Sequence, residues 1–358
     1  MRIYKIFNKT KAALIWVLVC VSLATLLIFP KECRNGGTNG AYLCIQVLIP
    51  SLFPFMVLSS FITESGLSAH LPQWMNKATM FIFNLPGCCT LTILLSLVGG
   101  YPVGASGIKS LWKQKMITKD QAKRMALFCV AAGPGFLVTY IGAVMTRNLK
   151  TGYILLVSQI VSVLILGILT GLSAKREETI NPCSNAQIEI APARAIIPSV
   201  TKAINSCALM CALVVIFSSA SEVLITLIKD NPSVKWIVAM FEITNGVKIL
   251  AQGYPTALLS AACGFGGLCV HFQVLSQLRG LGISKLVFFI FRILQSILCG
   301  ACTYILLKFF PVSQTVFSTV ENAQSKMNNT TAGCIVLVIC CCAFLISLKG
   351  AKSAGRTR

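Results

Sequence analysis

A few residues of the wrong type for lipid stand close together inside long apolar runs. Glu242, Asn245 and Gly246 interrupt "FEITNGVKIL" at 241–250. Gly264, Gly266 and Gly267 open "GFGGLCVHFQVLSQL" at 264–278, with His271 and Gln273 following within about one turn. Arg292 and Gln295 sit in "KLVFFIFRILQSIL" at 285–298. In the first half Gly99, Gly100, Tyr101, Pro102 and Gly104 end the apolar run 91–98, and Lys109, Lys113 and Lys115 follow. Ionisable groups at membrane depth are costly and mark solute, ion or proton sites. A half-helix that starts after a glycine break aims free N–H groups and its positive dipole end at whatever lies before it. Two such starts, with His271 and Arg292 nearby, predict a site for a small anion.

Each of these residues also has a plainer reading. Glu242 fits a short interfacial helix near water. His271 fits a core histidine bonded to a neighbour. Arg292 lies seven residues past Lys285, about 10 Å along a helix, too deep to reach water easily from that end. It needs a partner, either an anionic solute or Glu242 as a structural ion pair. Gln295, one turn on, shares its face, whereas Arg124 lies nearer the basic loop and reads as interfacial.

No catalytic constellation is present. The sequence lacks G-x-S-x-G, H-E-x-x-H and a Walker A loop, and its acidic residues are too few for a two-metal site. With His70 and His271 as the two histidines, a zinc site would need thiolates inside the membrane. No enzyme activity, metal or cofactor is expected. The 17 cysteines scatter through apolar runs, one pair (Cys299 and Cys302) at C-x-x-C spacing inside such a run, and there they act as small hydrophobes.

The elements that hold these residues are membrane helices. Of 358 residues 56% are hydrophobic and 11% charged, against about a quarter charged in soluble domains. Runs at 12–29, 43–62, 80–98, 125–145, 153–172, 203–228, 285–310 and 333–348 approach the roughly 20 residues that cross a bilayer core. This predicts an all-α polytopic membrane protein with about eight transmembrane segments. Lys and Arg number 31 against 10 Asp and Glu, a net charge of +21. Cytoplasmic loops of membrane proteins collect such an excess, and no nucleic-acid-binding motif stands beside it. The stretch 12–29 is long for a signal peptide and has no small-x-small cleavage site after it, so it reads as an uncleaved first helix with a cytoplasmic N-terminus.

The polar stretch 173–197 divides two hydrophobic halves, 41–172 and 198–310, with 333–348 as a C-terminal helix. Both halves open on Pro-Ser (Pro50-Ser51 and Pro198-Ser199) and carry a double glycine (Gly99-Gly100 and Gly266-Gly267). The double glycine precedes a hydrophobic-hydroxyl-lysine trio by 18 residues in one half and 17 in the other (Gly99 to Ile117, Gly266 to Ile283). We expect two inverted repeats, each with a re-entrant helical hairpin turning at its double glycine, since backbone broken at depth must line a cavity or be buried in protein. A hairpin at 86–118 keeps the lysines of 109–123 cytoplasmic. Whether 234–250 crosses the membrane is open at this level.

"PSLFPFMVLSSF", "GGYPVGA", "LFCVAAGPGFLVTYIGA", "FEITNG" and "GFGGLCVHFQ" resemble the YlbJ (SpoVV) family of sporulation integral membrane proteins, within the wider group with nucleoside-recognition, or Gate, domains. The resemblance covers roughly 40–310, with Cys269 where a small residue such as Ser is expected. It implies the outer forespore membrane of an endospore former and transport of dipicolinic acid, a small aromatic dianion, with other sporulation membrane proteins as partners. Two other classes fit the same features: a transporter of nucleosides or other neutral polar solutes, and a non-transporting scaffold that docks spore-assembly proteins on the basic loop 109–123.

Overall fold

The computed structural model describes residues 19–67, 71–174, 192–227, 232–251 and 253–312, with Ala13, Trp16 and Val17 ahead of them. The helix expected at 333–348, His70, most of the linker 173–197 and the first residues of 12–29 lie outside the described residues. All regular structure among the described residues is helical. Among the described residues five helices are long and apolar enough to cross a membrane: Pro30–Glu64, Leu149–Leu172, Ala193–Leu227, Thr256–Gln277 and Lys285–Phe309. Large apolar side chains such as Phe81, Leu172, Ile216, Leu286 and Ile297 stay exposed on the outside of the bundle. Water does not tolerate apolar surface on that scale; lipid does. The protein is a multi-pass membrane protein.

In chain order, α1 (Val19–Ile28) precedes α2 (Pro30–Leu43), which passes through a π-helical stretch, Cys44–Leu48, into α3 (Ile49–Glu64). Then come α4 (Gln73–Phe83), α5 (Cys89–Gly99), α6 (Tyr101–Lys113), α7 (Lys119–Phe128), a second π-helical stretch (Gly135–Met145) and α8 (Leu149–Leu172). The second half holds α9 (Pro192–Leu227), α10 (Pro232–Phe241), α11 (Ile243–Leu250), α12 (Thr256–Phe265), α13 (Gly267–Gln277) and α14 (Lys285–Phe309). The expected span 80–98 is in fact two helices, because Asn84 takes a left-handed conformation (φ 50°) that ends α4. The expected span 125–145 is likewise divided, by the non-helical residues 130–133.

Small residues set the contacts, as membrane helices require when no hydrophobic effect drives them together. Gly36 and Gly40 of α2 lie against Ser218 and Ser219 of α9, and Gly300 of α14 lies against Ala257 and Ala261 of α12. Long helix α9 packs along both α2 and α3, and α14 along α12 and α8.

Two helix pairs fold back on themselves. In the first, α5 and α6 pack antiparallel about Gly100, with Gly104 against Ser96 and Gly107 against Thr92. Gly100 has φ 80° and ψ −173°, a region open essentially to glycine alone, and this conformation reverses the chain within one residue. In the second, α10 and α11 pack antiparallel about Glu242, with Gly246 against Ala239. Segment 234–250 is therefore a hairpin and not a crossing. This corrects the expectation that the second hairpin turns at Gly266-Gly267. There α12 and α13 do not pack along each other: α12 lies on α14 and α11, α13 on α6 and α9. Gly266 has φ 85° like Gly100 but ψ −10°, which bends the helix instead of reversing it.

The loop between α6 and α7 meets the loop between α13 and α14, where Gly280 lies against the Trp112 ring and Gly282 against the Lys119 side chain. Lys113, Lys115, Lys119, Arg279 and Lys285 thus gather at one end of the bundle. At the same end Lys202 of α9 donates to the Glu64 carboxylate and to Ser110 Oγ (2.8 Å), tying α9 to α3 and α6.

Candidate functional site

The two hairpin tips meet. Between them lies a cleft of about 480 Å³, counting its open mouth. Gly100, Tyr101 and Pro102 line it from the first hairpin and Glu242, Ile243 and Thr244 from the second. The two broken helices supply more of its lining: Gly133 from the break after α7, and Cys269, Val270 and Gln273 from the turns just past Gly266. Leu48, Leu52, Phe136, Met210 and Val214 close the apolar side.

Electrostatics at the cleft come mainly from helix ends. Neither α6 nor α13 has a side-chain cap at its N-terminus, so both leave a positive dipole end uncompensated. In the first turn of α6 Pro102 has no N–H and Val103 N donates to Gly100 O at 3.2 Å, which leaves Tyr101 N as its donor. Gln273 is 3% exposed and its Nε2 has no partner. A buried amide N–H without an acceptor is uncommon in native proteins and points to a missing ligand or water. The α11 N-terminus, by contrast, is capped by Glu242. Its Oε1 accepts from Thr244 N (2.9 Å) and Thr244 Oγ1 (2.6 Å), and its Oε2 from Asn245 N (2.7 Å). The Asn245 amide itself turns away and donates to Ser218 Oγ at 3.2 Å.

The other residues singled out in the sequence hold the cleft in shape without lining it. Arg292 is fully buried, and its expected partners are corrected: neither Glu242 nor any other described carboxylate pairs with it. Nη1 donates to Val130 O at 2.6 Å and Nη2 to Leu127 O, the carbonyls left open where α7 stops. A cation there satisfies both the orphan acceptors and the negative end of the helix dipole. Arg124 does the same elsewhere, donating to Asn84 O (2.6 Å) and Thr170 O (3.3 Å) at the ends of α4 and α8. His271 Nε2 donates to Phe265 O at 2.8 Å across the Gly266 bend, and Phe265, Phe288 and Phe289 meet the ring edge-on. His271 therefore staples the bend. Gly264 and Gly104 admit close neighbours, Cys299 and the Cys129 carbonyl. Gln295 is fully buried beside Arg292 on α14, with both amide atoms unpartnered. Gly99, Gly246, Gly266 and Gly267 belong to the hairpins and the bend.

Tyr101 couples tip to bend. Its ring lies against Gly266 and its hydroxyl donates to Cys263 O at 2.6 Å. Tyr101→Phe keeps the ring and loses that bond, so we expect a loss of about 1 kcal/mol in stability, read as a lower thermal midpoint of the purified protein.

Among the lining residues Gly133, Thr244 and Cys269 were not anticipated. Gly133-Pro134-Gly135 was visible as a break in an apolar run, the same signal that marked Gly100. No protein-family model and no solved structure matches the chain. It is 22% identical over 326 residues, covering 80% of each chain, to the protein named "Sporulation integral membrane protein YlbJ" of Bacillus subtilis (strain 168). The likeness runs across four-fifths of both chains, and what the chain resembles there is a sporulation integral membrane protein.

Proposed function

We propose that the chain is a sporulation transporter that moves a small organic anion, dipicolinate, across the outer forespore membrane. The relative's printed name supports the sporulation role, and the family resemblance supports the solute. The observation that carries transport is the convergence of two hairpin tips and two helix breaks on one cleft. Irregular backbone at membrane depth has a place where it lines a solute path. The elements fall into two sets of opposite sense: α3, the α5–α6 hairpin, the broken α7 and α8, then α9, the α10–α11 hairpin, the bent α12–α13 and α14. We read these sets as inverted repeats that rock against each other about the cleft, with the lysine-rich end in the cytoplasm. The positive ends of α6 and α13 and the unpartnered Gln273 amide favour a carboxylate between them.

One observation favours a second solute class. Glu242 lines the cleft and no Lys, Arg or His does, which suits a neutral polar solute such as a nucleoside. Uptake of labelled dipicolinate into proteoliposomes of the purified protein separates the two. We expect saturable uptake, blocked by unlabelled dipicolinate and not by nucleosides. Uptake of nucleosides instead, or competition by them, would move the assignment to the neutral class.

A further inference from the structure

A carboxylate and an anionic solute in one cleft repel each other, and with lipid and apolar side chains around them little screens that repulsion. No cation among the lining residues offsets it. Glu242 is 1% exposed, so its charge cannot turn out to water. The conflict disappears when Glu242 carries a proton. The stereochemistry leaves a place for one: an ionised carboxyl offers about four lone-pair sites, and three are filled by Thr244 N, Thr244 Oγ1 and Asn245 N. The free site is on Oε2. Once protonated, that oxygen becomes a donor, which is what an incoming carboxylate needs.

Resting on the transport reading above, we propose that Glu242 is the proton-coupling residue of the cleft. An anion enters with one proton, Glu242 takes the proton up as the anion binds, and gives it up on the other side as the anion leaves. The balance is one carboxylate, one proton and one solute anion going to one carboxylic acid with its bound anion, and back again. No covalent bond other than the O–H changes. Other ionisable groups within electrostatic reach are Lys248 on α11, Tyr140 from the second π-helical stretch, Cys269 from α13, Cys44 from the first π-helical stretch and Tyr101 from α6. The Tyr101 hydroxyl is committed to Cys263 O. From α9 the hairpin meets the Ser218 hydroxyl, which does not titrate. Lys248 stands at the far end of α11, in its last turn. Glu242 is the acid among these groups that lines the cleft, caps a helix at its tip and retains an open lone pair.

Linkage fixes the sign. The anion-bound state holds one proton more than the free state wherever free Glu242 is ionised, so raising the pH weakens binding. With one proton per anion the apparent affinity falls about tenfold per pH unit. The test uses the full-length protein in proteoliposomes loaded with a pH dye, with dipicolinate as the probe between about pH 7 and pH 9, where its carboxyls stay ionised. We expect dipicolinate uptake to acidify the lumen, with affinity falling on that slope. We also expect solute binding to raise the infrared carbonyl band of a protonated carboxyl. Glu242→Gln should lose the acidification, the slope and the band, and Glu242→Asp should restore the band. Uptake by the wild type without lumen acidification, or a pH slope and band that persist in Glu242→Gln, would overturn the coupling role while leaving transport standing. A wild type that neither binds nor moves dipicolinate would overturn the transport reading itself.

Discussion

Arg292→Ala is expected to abolish the proposed dipicolinate uptake, and to do so by loosening the fold. The guanidinium donates to Leu127 O in the last turn of α7 and to Val130 O in the non-helical stretch just past it. It also lies 5.4 Å from the Phe288 ring centroid. Hydrogen bonds from a charged donor contribute about 1.5–3 kcal/mol each, and the carbonyls left behind at depth find no water. The break at 130–133 then loses its anchor to α14, and Gly133 no longer closes the cleft. We expect a drop of several degrees or more in the thermal midpoint of the purified protein, with part of it recovered in Arg292→Lys, which keeps one charged donor without the planar fork. Unchanged thermal stability with loss of dipicolinate affinity alone would contradict this and put the guanidinium on the solute.

The same residue marks the limit of what is legible in the chain. The charge deficit and the apolar runs carry the class, because lipid imposes composition directly. That Arg292 is too deep for water is legible too. Its partners are not: they are main-chain carbonyls 162 and 165 residues away, and carbonyl positions leave no trace in side-chain types. The hairpins show the complementary failure. Gly99-Gly100 and Gly266-Gly267 look alike as sequence, and both breaks rest on a glycine with positive φ. The chain reverses at one, where Gly100 alone takes positive φ with ψ −173°, and bends at the other, where Gly266 (φ 85°, ψ −10°) and Gly267 (φ 77°) both do, and packing chooses between the two. The second hairpin turns on Glu242 at φ −140° and ψ 115°, ordinary extended backbone that calls for no glycine and so gives no turn signal. Glu242 was conspicuous as a carboxylate in an apolar run, and its role as the tip of a hairpin was not.

Gly104→Ala should be the most damaging single-methyl addition in the first hairpin. A Cβ at this position would sit 2.0 Å from the Cys129 carbonyl oxygen and 2.9 Å from Ser96 Cβ. The first neighbour is backbone at the very point where α7 ends, and the second lies on the other arm of the hairpin. Neither is the far end of a flexible side chain that can swing aside. Relief requires α6 to move away from α7, which pulls Gly100 and Tyr101 out of the cleft and breaks the Tyr101–Cys263 bond. Overpacking costs about 1–3 kcal/mol, with a clash against backbone at the upper end, and here it acts on the tip that the proposed transport cycle must present to the solute. Gly37→Ala is the control: its nearest neighbour is the Ser219 hydroxyl at 3.1 Å, the end of a side chain able to rotate, on a helix pair away from the cleft. We expect Gly104→Ala to reach the membrane at reduced yield, melt early and transport nothing, while Gly37→Ala stays close to wild type in yield and uptake. Equal behaviour of the two variants would mean that α6 is not held against the α7 break, and the cleft drawn from both hairpin tips would have to be redrawn without the first.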